Sequence, residues 1–258
     1  MSLRTQDTTS DRAPFMIGSS KSLAHLFRHL RNPAALPRLI VKNITYPFSS
    51  QAAAQRYDRR LGIDTDGWIE PTDMDIDGET AGRSHAYAGT PAGVAQFLIA
   101  RIAERARGFI FIDVGSGKGR VLLIAARFPF RRIVGLEHSA QLNEIAAENV
   151  RRFAARNPSM TPVDLFTGDA TRLALPEEPL VVFLFNPFGP EAVADFAQAL
   201  KRSHEQAPRK IICIYYNPVH SGIFAELGIF TAQENVDCPA DPMDHFSKLK
   251  FPAMIFET

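Results

Sequence analysis

Residues 109–119, Phe-Ile-Phe-Ile-Asp-Val-Gly-Ser-Gly-Lys-Gly, constrain the fold more than any other stretch of the chain. Phe109 to Ile112 form an unbroken apolar run, the pattern of a strand covered on both faces. Asp113 ends it. Gly115, Gly117 and Gly119 follow at alternate positions, where a missing Cβ permits positive φ and lets a ligand lie against bare backbone. Arg120 to Ala126 is apolar almost all round, which predicts a buried helix. The amino end of that helix would offer free N–H groups and a positive dipole to whatever lies over the turn.

Beyond the turn, elements alternate regularly, which predicts a doubly wound, mostly parallel α/β sheet. Arg132 to Glu137, Val163 to Phe166, Leu180 to Phe185 and Ile211 to Tyr216 read as strands. Ala140 to Ala155 reads as a helix with Leu142, Ile145, Ala146, Val150 and Phe153 inward. Pro190 to about Glu205 reads as another, with Val193, Phe196, Ala197 and Leu200 on one side. After a short helix at Ile223 to Leu227, Ile229 to Val236 and Phe246 to Phe256 follow as strands with no helix between them, which implies an antiparallel pair at the sheet edge. Before the turn, Thr90 reads as the N-cap and Pro91 as the first residue of a helix running to about Arg105. Its inner stripe is Val94, Phe97, Leu98 and Ile102.

A chain of 258 residues with 45% apolar content suffices for one α/β core and an extension. The organisation expected is a disordered tail over 1–18, a helical N-terminal extension with an acidic loop over 19–86, and the main domain over 87–258. Ser20 caps a short amphipathic helix bearing Leu23, Leu26, Phe27 and Leu30, and a second helix covers about Gln51 to Leu61. Before Leu61 there are ten Lys/Arg against three Asp/Glu, whereas Leu61 to Ala86 holds seven acids against Arg83. A basic segment folded beside an acidic loop accounts for this, and so does a contact for RNA or an acidic partner. No run approaches the roughly 18 apolar residues of a membrane span, and Met1 to Ser20 lacks the apolar centre of a secretory signal. Cys213 and Cys238 stand too far apart for a metal knuckle or a disulfide framework, which suits a reducing, cytoplasmic compartment and no metal site.

Spacing separates three glycine patterns. A phosphate-cradling loop needs Gly-Lys-Ser/Thr, but Lys118 precedes Gly119. The dinucleotide fingerprint needs a third glycine where Arg120 stands. D-x-G-x-G-x-G remains, Asp113 to Gly119. With the βα alternation and the antiparallel ending, it makes the chain from about Tyr87 onward resemble the class I, seven-strand, Rossmann-like S-adenosylmethionine-dependent methyltransferases. The resemblance implies an α/β seven-strand sheet, S-adenosyl-L-methionine as cofactor, and a turn after the first strand that holds it.

In an open α/β sheet the ligand lies across the carboxyl ends of the strands. Those ends carry Asp113 with Gly115, Gly117 and Gly119, then Glu137, then Asp169 with Ala170, then Asn186. Glu137, twenty residues past Gly117, is suited to both ribose hydroxyls. Asp169 can accept from the adenine amino group beside the Ala170 N–H, and Asp113 can hold the cofactor's ammonium. Tyr87 and Thr90 match the place where such enzymes touch the methionine end. Lys118 and Arg120 read as surface charges or as attractors of the cofactor carboxylate, and His138 as a cap of the next helix. Tyr57, Asp58, Arg59, Asp64 and Thr65 read either as a lid over the cofactor or as an Arg–Asp network that fixes the N-terminal arm.

Asn186, Pro187 and Phe188 resemble the Asn/Asp-Pro-Pro-Tyr/Phe motif of enzymes that methylate planar nitrogens, but lack the second proline. Asn186 would accept the acceptor's N–H bonds and Phe188 would wall the site. The D-x-G-S-G-x-G-R turn with an upstream Tyr and Thr-Pro also resembles protein lysine methyltransferases, so the expected activity is N-methylation of a protein side chain. A nucleic-acid or small-molecule acceptor, and a non-catalytic cofactor-binding scaffold, stay open beside it. Asn217, Pro218, Tyr215, Tyr216 and His220 are a second acceptor-side group, or a turn with two packed tyrosines.

Overall fold

An unbroken apolar run needs cover on both faces, and three such runs form the middle of the sheet in the computed structural model. These are β3 (Ile110–Val114), β6 (Leu180–Phe185) and β7 (Ile211–Tyr216), buried almost throughout. The structure describes residues 52–76, 85–185, 189–240 and 251–258. All lie within one compact unit, 46–258. The expected tail over 1–18 and the helix after Ser20 lie outside the described residues.

With β4 (Arg132–Glu137), β5 (Val163–Thr167), β8 (Ala232–Val236) and β9 (Ala253–Glu257), these strands form a seven-stranded sheet in the order β5-β4-β3-β6-β7-β9-β8. β3 to β7 run parallel, and β9 is antiparallel to both β7 and β8. The order reverses between β3 and β6, which makes the carboxyl end of β3 the switch point. A two-stranded antiparallel ribbon, β1 (Trp68–Ile69) with β2 (Tyr87–Ala88), stands apart from the sheet.

Alternate strand residues point to opposite faces, so there are two cores. On one face Phe111, Ile133, Val181, Phe183, Ile212 and Ile214 share a cluster with Leu98, Ile99 and Ile102 of α2 (Ala92–Ala103) and Val121, Leu122 and Ile124 of α3 (Arg120–Ala125). On the other, Ile112, Val134, Leu136, Val182 and Leu184 meet Val193, Phe196, Ala197 and Leu200 of α5 (Pro190–Gln206) and Phe224 of α6 (Ser221–Ala225). Each fully covered side chain of this size contributes about 1.5–3 kcal/mol. Helix α1, over 52–61, and the turn after it join the fold through Ile63, which packs on Leu123 and on Phe153 of α4 (Ala140–Arg156).

Several boundaries differ from expectation. Pro91, not Thr90, holds the N-cap of α2, and no side chain caps it; the Thr90 carbonyl accepts from Arg120 instead. Helix α4 turns Asn143 and Asn149 inward, while Ile145 and Val150 are only half-buried. The reason is polar: Asn149 holds the segment after α1, as described below. Strand β8 starts at Ala232 because Ile229 and Phe230 pack on the second core outside the ladder. Strand β9 starts after Pro252, which has no N–H to give a ladder, and residues 246–250 of the expected strand lie outside the described ones.

Candidate active site

The turn after β3 is pinned by its neighbour strand. Leu136 of β4 accepts the N–H groups of Gly115 (2.8 Å) and Ser116 (3.0 Å) through one carbonyl, and the Glu137 carboxylate accepts the Gly117 N–H at 2.7 Å. Gly117 has φ +52°, and a Cβ there would lie 2.3 Å from the Tyr87 ring. Only a bare backbone lets Tyr87 close over the turn. Tyr87 is held in turn by its hydroxyl, which donates to the Thr65 carbonyl at 2.8 Å.

Over the carboxyl ends of β3 and β4 lies a cavity of about 640 Å³, a size suited to a cofactor-like small molecule. Its walls bring together Asp113, Gly115, Glu137, Asp169, Ala170, Tyr87 and Thr90. Gly117 and Gly119 do not line it. Gly117 acts through its N–H, and Gly119, at φ +85°, opens α3 close against Ala146. Asn186, Pro187 and Phe188 lie outside the described residues, although Phe185 before them and Ala192 after them are on the cavity wall. Asn217, in the left-handed region at φ 51°, and Phe251 line the same cavity. Tyr215 and Tyr216 are buried and His220 does not line the cavity. Phe185 packs tilted against Tyr216 and Phe251 meets it edge-on, with ring centroids 4.8 and 6.0 Å away.

The cavity is acidic. Asp113 is 4% exposed, and burial together with the charge of Glu137 raises its carboxyl well above the usual range. Burial also raises Glu137, although the N–H groups of Ser139 and Gly117 work against it. No described Lys or Arg forms an ion pair with either acid. Asp169 differs. Burial pushes it up, but the Thr171 hydroxyl (2.7 Å) and N–H (2.8 Å) hold it below its ordinary value. The Ser116 hydroxyl, buried on the cavity wall, meets no partner among the described residues.

Lys118 and Arg120 are not surface charges. They are 7% and 4% exposed and bind the segment that follows α1. Arg120 donates to the Thr65 hydroxyl and carbonyl (2.7 Å each) and to the Thr90 carbonyl (3.2 Å), with Asp58 3.8 Å away. Lys118 donates to Asp64 (2.9 Å) and to the Asp66 carbonyl (2.7 Å). Asp58 accepts the N–H groups of Thr65 and Asp66 and the Thr65 hydroxyl, and the Asn149 amide donates to the carbonyls of Asp64 and Lys118. Of the two expectations for this segment, the fixing network is the arrangement found; Arg59 is exposed. Ser139, not His138, caps α4, and His138 lines the cavity. Trp68, Met74 and Ile76 complete the wall. Sequence reading missed them because their polar, acidic surroundings signal a loop and not a roof.

No family model matches the chain, and no curated protein matches it in sequence. Solved structures similar to it include precorrin 8W decarboxylase of Methanobacterium thermoautotrophicum, 18% identical over 63% of this chain and 88% of that one, with a TM-score of 0.42. The methyltransferase domain of bacterial CtHen1-C is 13% identical over 64% of this chain and 97% of that one, with a TM-score of 0.47. The tRNA (uracil-54, C5)-methyltransferase of Pyrococcus abyssi, in complex with S-adenosyl-L-homocysteine, is 15% identical over 63% of this chain and 37% of that one, with a TM-score of 0.41. These are likenesses of fold. The strand order, with β9 reversed between β7 and β8, gives the mostly parallel seven-strand α/β sheet with an antiparallel ending that the sequence led us to expect.

Proposed function

We propose that the protein is an S-adenosyl-L-methionine-dependent methyltransferase that methylates nitrogen on a protein side chain of the lysine type. The observation that carries the reading is a pair of buried acids, Asp113 and Glu137, on adjacent strand tips over a glycine turn, neither of them paired with a described Lys or Arg. Buried carboxylates without a cation favour a ligand that brings positive charge and hydroxyl donors. A sulfonium nucleoside with an amino-acid ammonium and a ribose diol has both.

Asp113 would hold the ammonium, Glu137 the sugar hydroxyls, and Asp169 with Ala170 the base. When bound, the cofactor supplies a methyl group already activated on sulfur. The protein's remaining tasks are to align the acceptor lone pair and exclude water. Tyr87, Met74 and Ile76 close the near wall. Asn186, with Pro187 and Phe188, would accept the acceptor's N–H bonds, and the aromatic wall of Phe185 and Phe251 suits a cationic side chain.

The test is labelled-methyl transfer to a proteome extract, followed by digestion with protease or nuclease. Label released as amino acid or small peptide is expected. Label released only by nuclease would replace the protein acceptor with nucleic acid. No incorporation, with S-adenosylhomocysteine still bound in calorimetry, would leave a cofactor-binding scaffold.

A further inference from the structure

Residues 71–76 cross the cavity wall with few attachments. Met74 and Ile76 face the cavity. The 3-10 turn Pro71–Asp73 before them buries no residue. Two hydrogen bonds are local, from Asp73 N–H to the Glu70 carbonyl and from Met74 N–H to the Pro71 carbonyl. Among the described residues, every longer-range hydrogen bond of this span is made by Asp75. Its Oδ1 accepts from the Ser139 hydroxyl, and its Oδ2 accepts from the Gln141 N–H at 3.0 Å. The chain bends through residues 74–76, and Met74 and Ile76 line the cavity while Asp75 meets the start of α4.

Ser139 has three roles at that junction. Its hydroxyl oxygen accepts the Leu142 N–H at 3.1 Å and so caps the 17-residue helix α4. The same hydroxyl donates to Asp75. Its own N–H donates to Glu137 at 2.9 Å. One residue therefore connects the span over the cavity to the acid beneath it. The Asp75 charge also sits at the positive end of the α4 dipole, which strengthens the contact.

We propose that Asp75 is a positioning residue that holds the 71–76 strap closed over the bound nucleoside and, through Ser139, orients Glu137 toward it. This rests on the methyltransferase reading for the identity of the nucleoside. The strap then governs how fast the nucleoside leaves, because Met74 and Ile76 must lift before it can.

The experiment uses the full chain and S-adenosylhomocysteine as the probe. Dissociation is followed in a stopped flow through Trp68, the chain's single tryptophan, which lies on the cavity wall. Asp75→Ala is expected to raise the dissociation rate about tenfold, through the loss of its two charge-assisted contacts, to Ser139 and Gln141. The association rate should change less than about twofold and the unfolding midpoint of the ligand-free protein hardly at all, since residue 75 is exposed. Asp75→Asn, which keeps one acceptor, should fall between. An unchanged dissociation rate in the Ala variant overturns the proposal. Should the parent protein not bind the probe, the cofactor reading falls and the latch is judged without ligand, by hydrogen exchange at the Gln141 amide. Protection there in the parent and its loss in Asp75→Ala supports the latch; equal exchange in both overturns it.

Discussion

Replacing Arg120 by Met tests whether the segment after α1 is part of the site. Arg120 is 4% exposed and makes three hydrogen bonds, to the Thr65 hydroxyl and carbonyl and to the Thr90 carbonyl. Methionine fills most of the volume but donates nothing, so the Thr65 and Thr90 oxygens lose a charged donor and Asp58 loses the cation 3.8 Å away. Breaking such a buried contact costs about 3–5 kcal/mol, the residual penalty being the uncompensated charge of the partner. At about 2–4 °C per kcal/mol for a domain of this size, the unfolding midpoint should fall by about 10 °C. Urea unfolding at pH 7 measures the energy. Limited trypsin digestion measures the location, because Arg59 and Arg60 are exposed and should become cleavable before the sheet unfolds. Arg120→Lys, with a single ammonium for three acceptors, should recover only part of the loss. A Met variant within about 1 kcal/mol of the parent, with residues 58–66 still protected, would refute the idea that this segment is wired into the glycine turn.

Asp113→Asn should stabilise the ligand-free protein at neutral pH while weakening cofactor binding, since it removes a carboxyl that burial makes costly to ionise. The folded-state pKa of Asp113 is raised, so its contribution is present at low pH and lost as pH rises through that value. The stability gap between variant and parent should therefore widen with rising pH, and a gap independent of pH would contradict the burial argument. By the same linkage, cofactor binding should release protons where Asp113 is protonated, measured by calorimetry in two buffers of different ionisation enthalpy, and Asp113→Asn should abolish the release. Gly117→Ala, at φ +52° and 2.3 Å from the Tyr87 ring, should cost about 2–3 kcal/mol in thermal unfolding; adding Tyr87→Ala should return the part due to the clash. Glu137→Ala should weaken cofactor affinity at least about tenfold in titration calorimetry with the fold intact by circular dichroism, and unchanged affinity would remove the central assignment.

The central strands were legible because burial on both faces leaves an apolar run that no other element needs: 180–185 and 211–216 carry their boundaries in plain view. The glycine turn was legible for the same kind of reason, since alternate glycines after an acid have few other uses. What the sequence did not disclose were the long-range polar contacts. Nothing local distinguishes Arg120, buried on Thr65, from a surface arginine, and nothing marks Asn149 as the inward residue of α4 in place of Val150. Both answers depend on a segment some fifty to eighty-five positions away. Met74 and Ile76 were overlooked because two apolar residues among acids look like a loop until the cavity beneath them is seen.

Strand β7, six residues without a charge, a proline or a glycine, takes one of its two neighbours from residues 253–257. Strand β8 cannot stand in, because it bonds only to β9. Until β9 arrives, the flank of Ile211 to Tyr216 is an open template for self-pairing. A nonsense codon or a stalled ribosome between 217 and 252 therefore yields a sticky fragment that aggregates, not a weakened protein, and β9 is the seal that makes the finished sheet safe in a crowded solution.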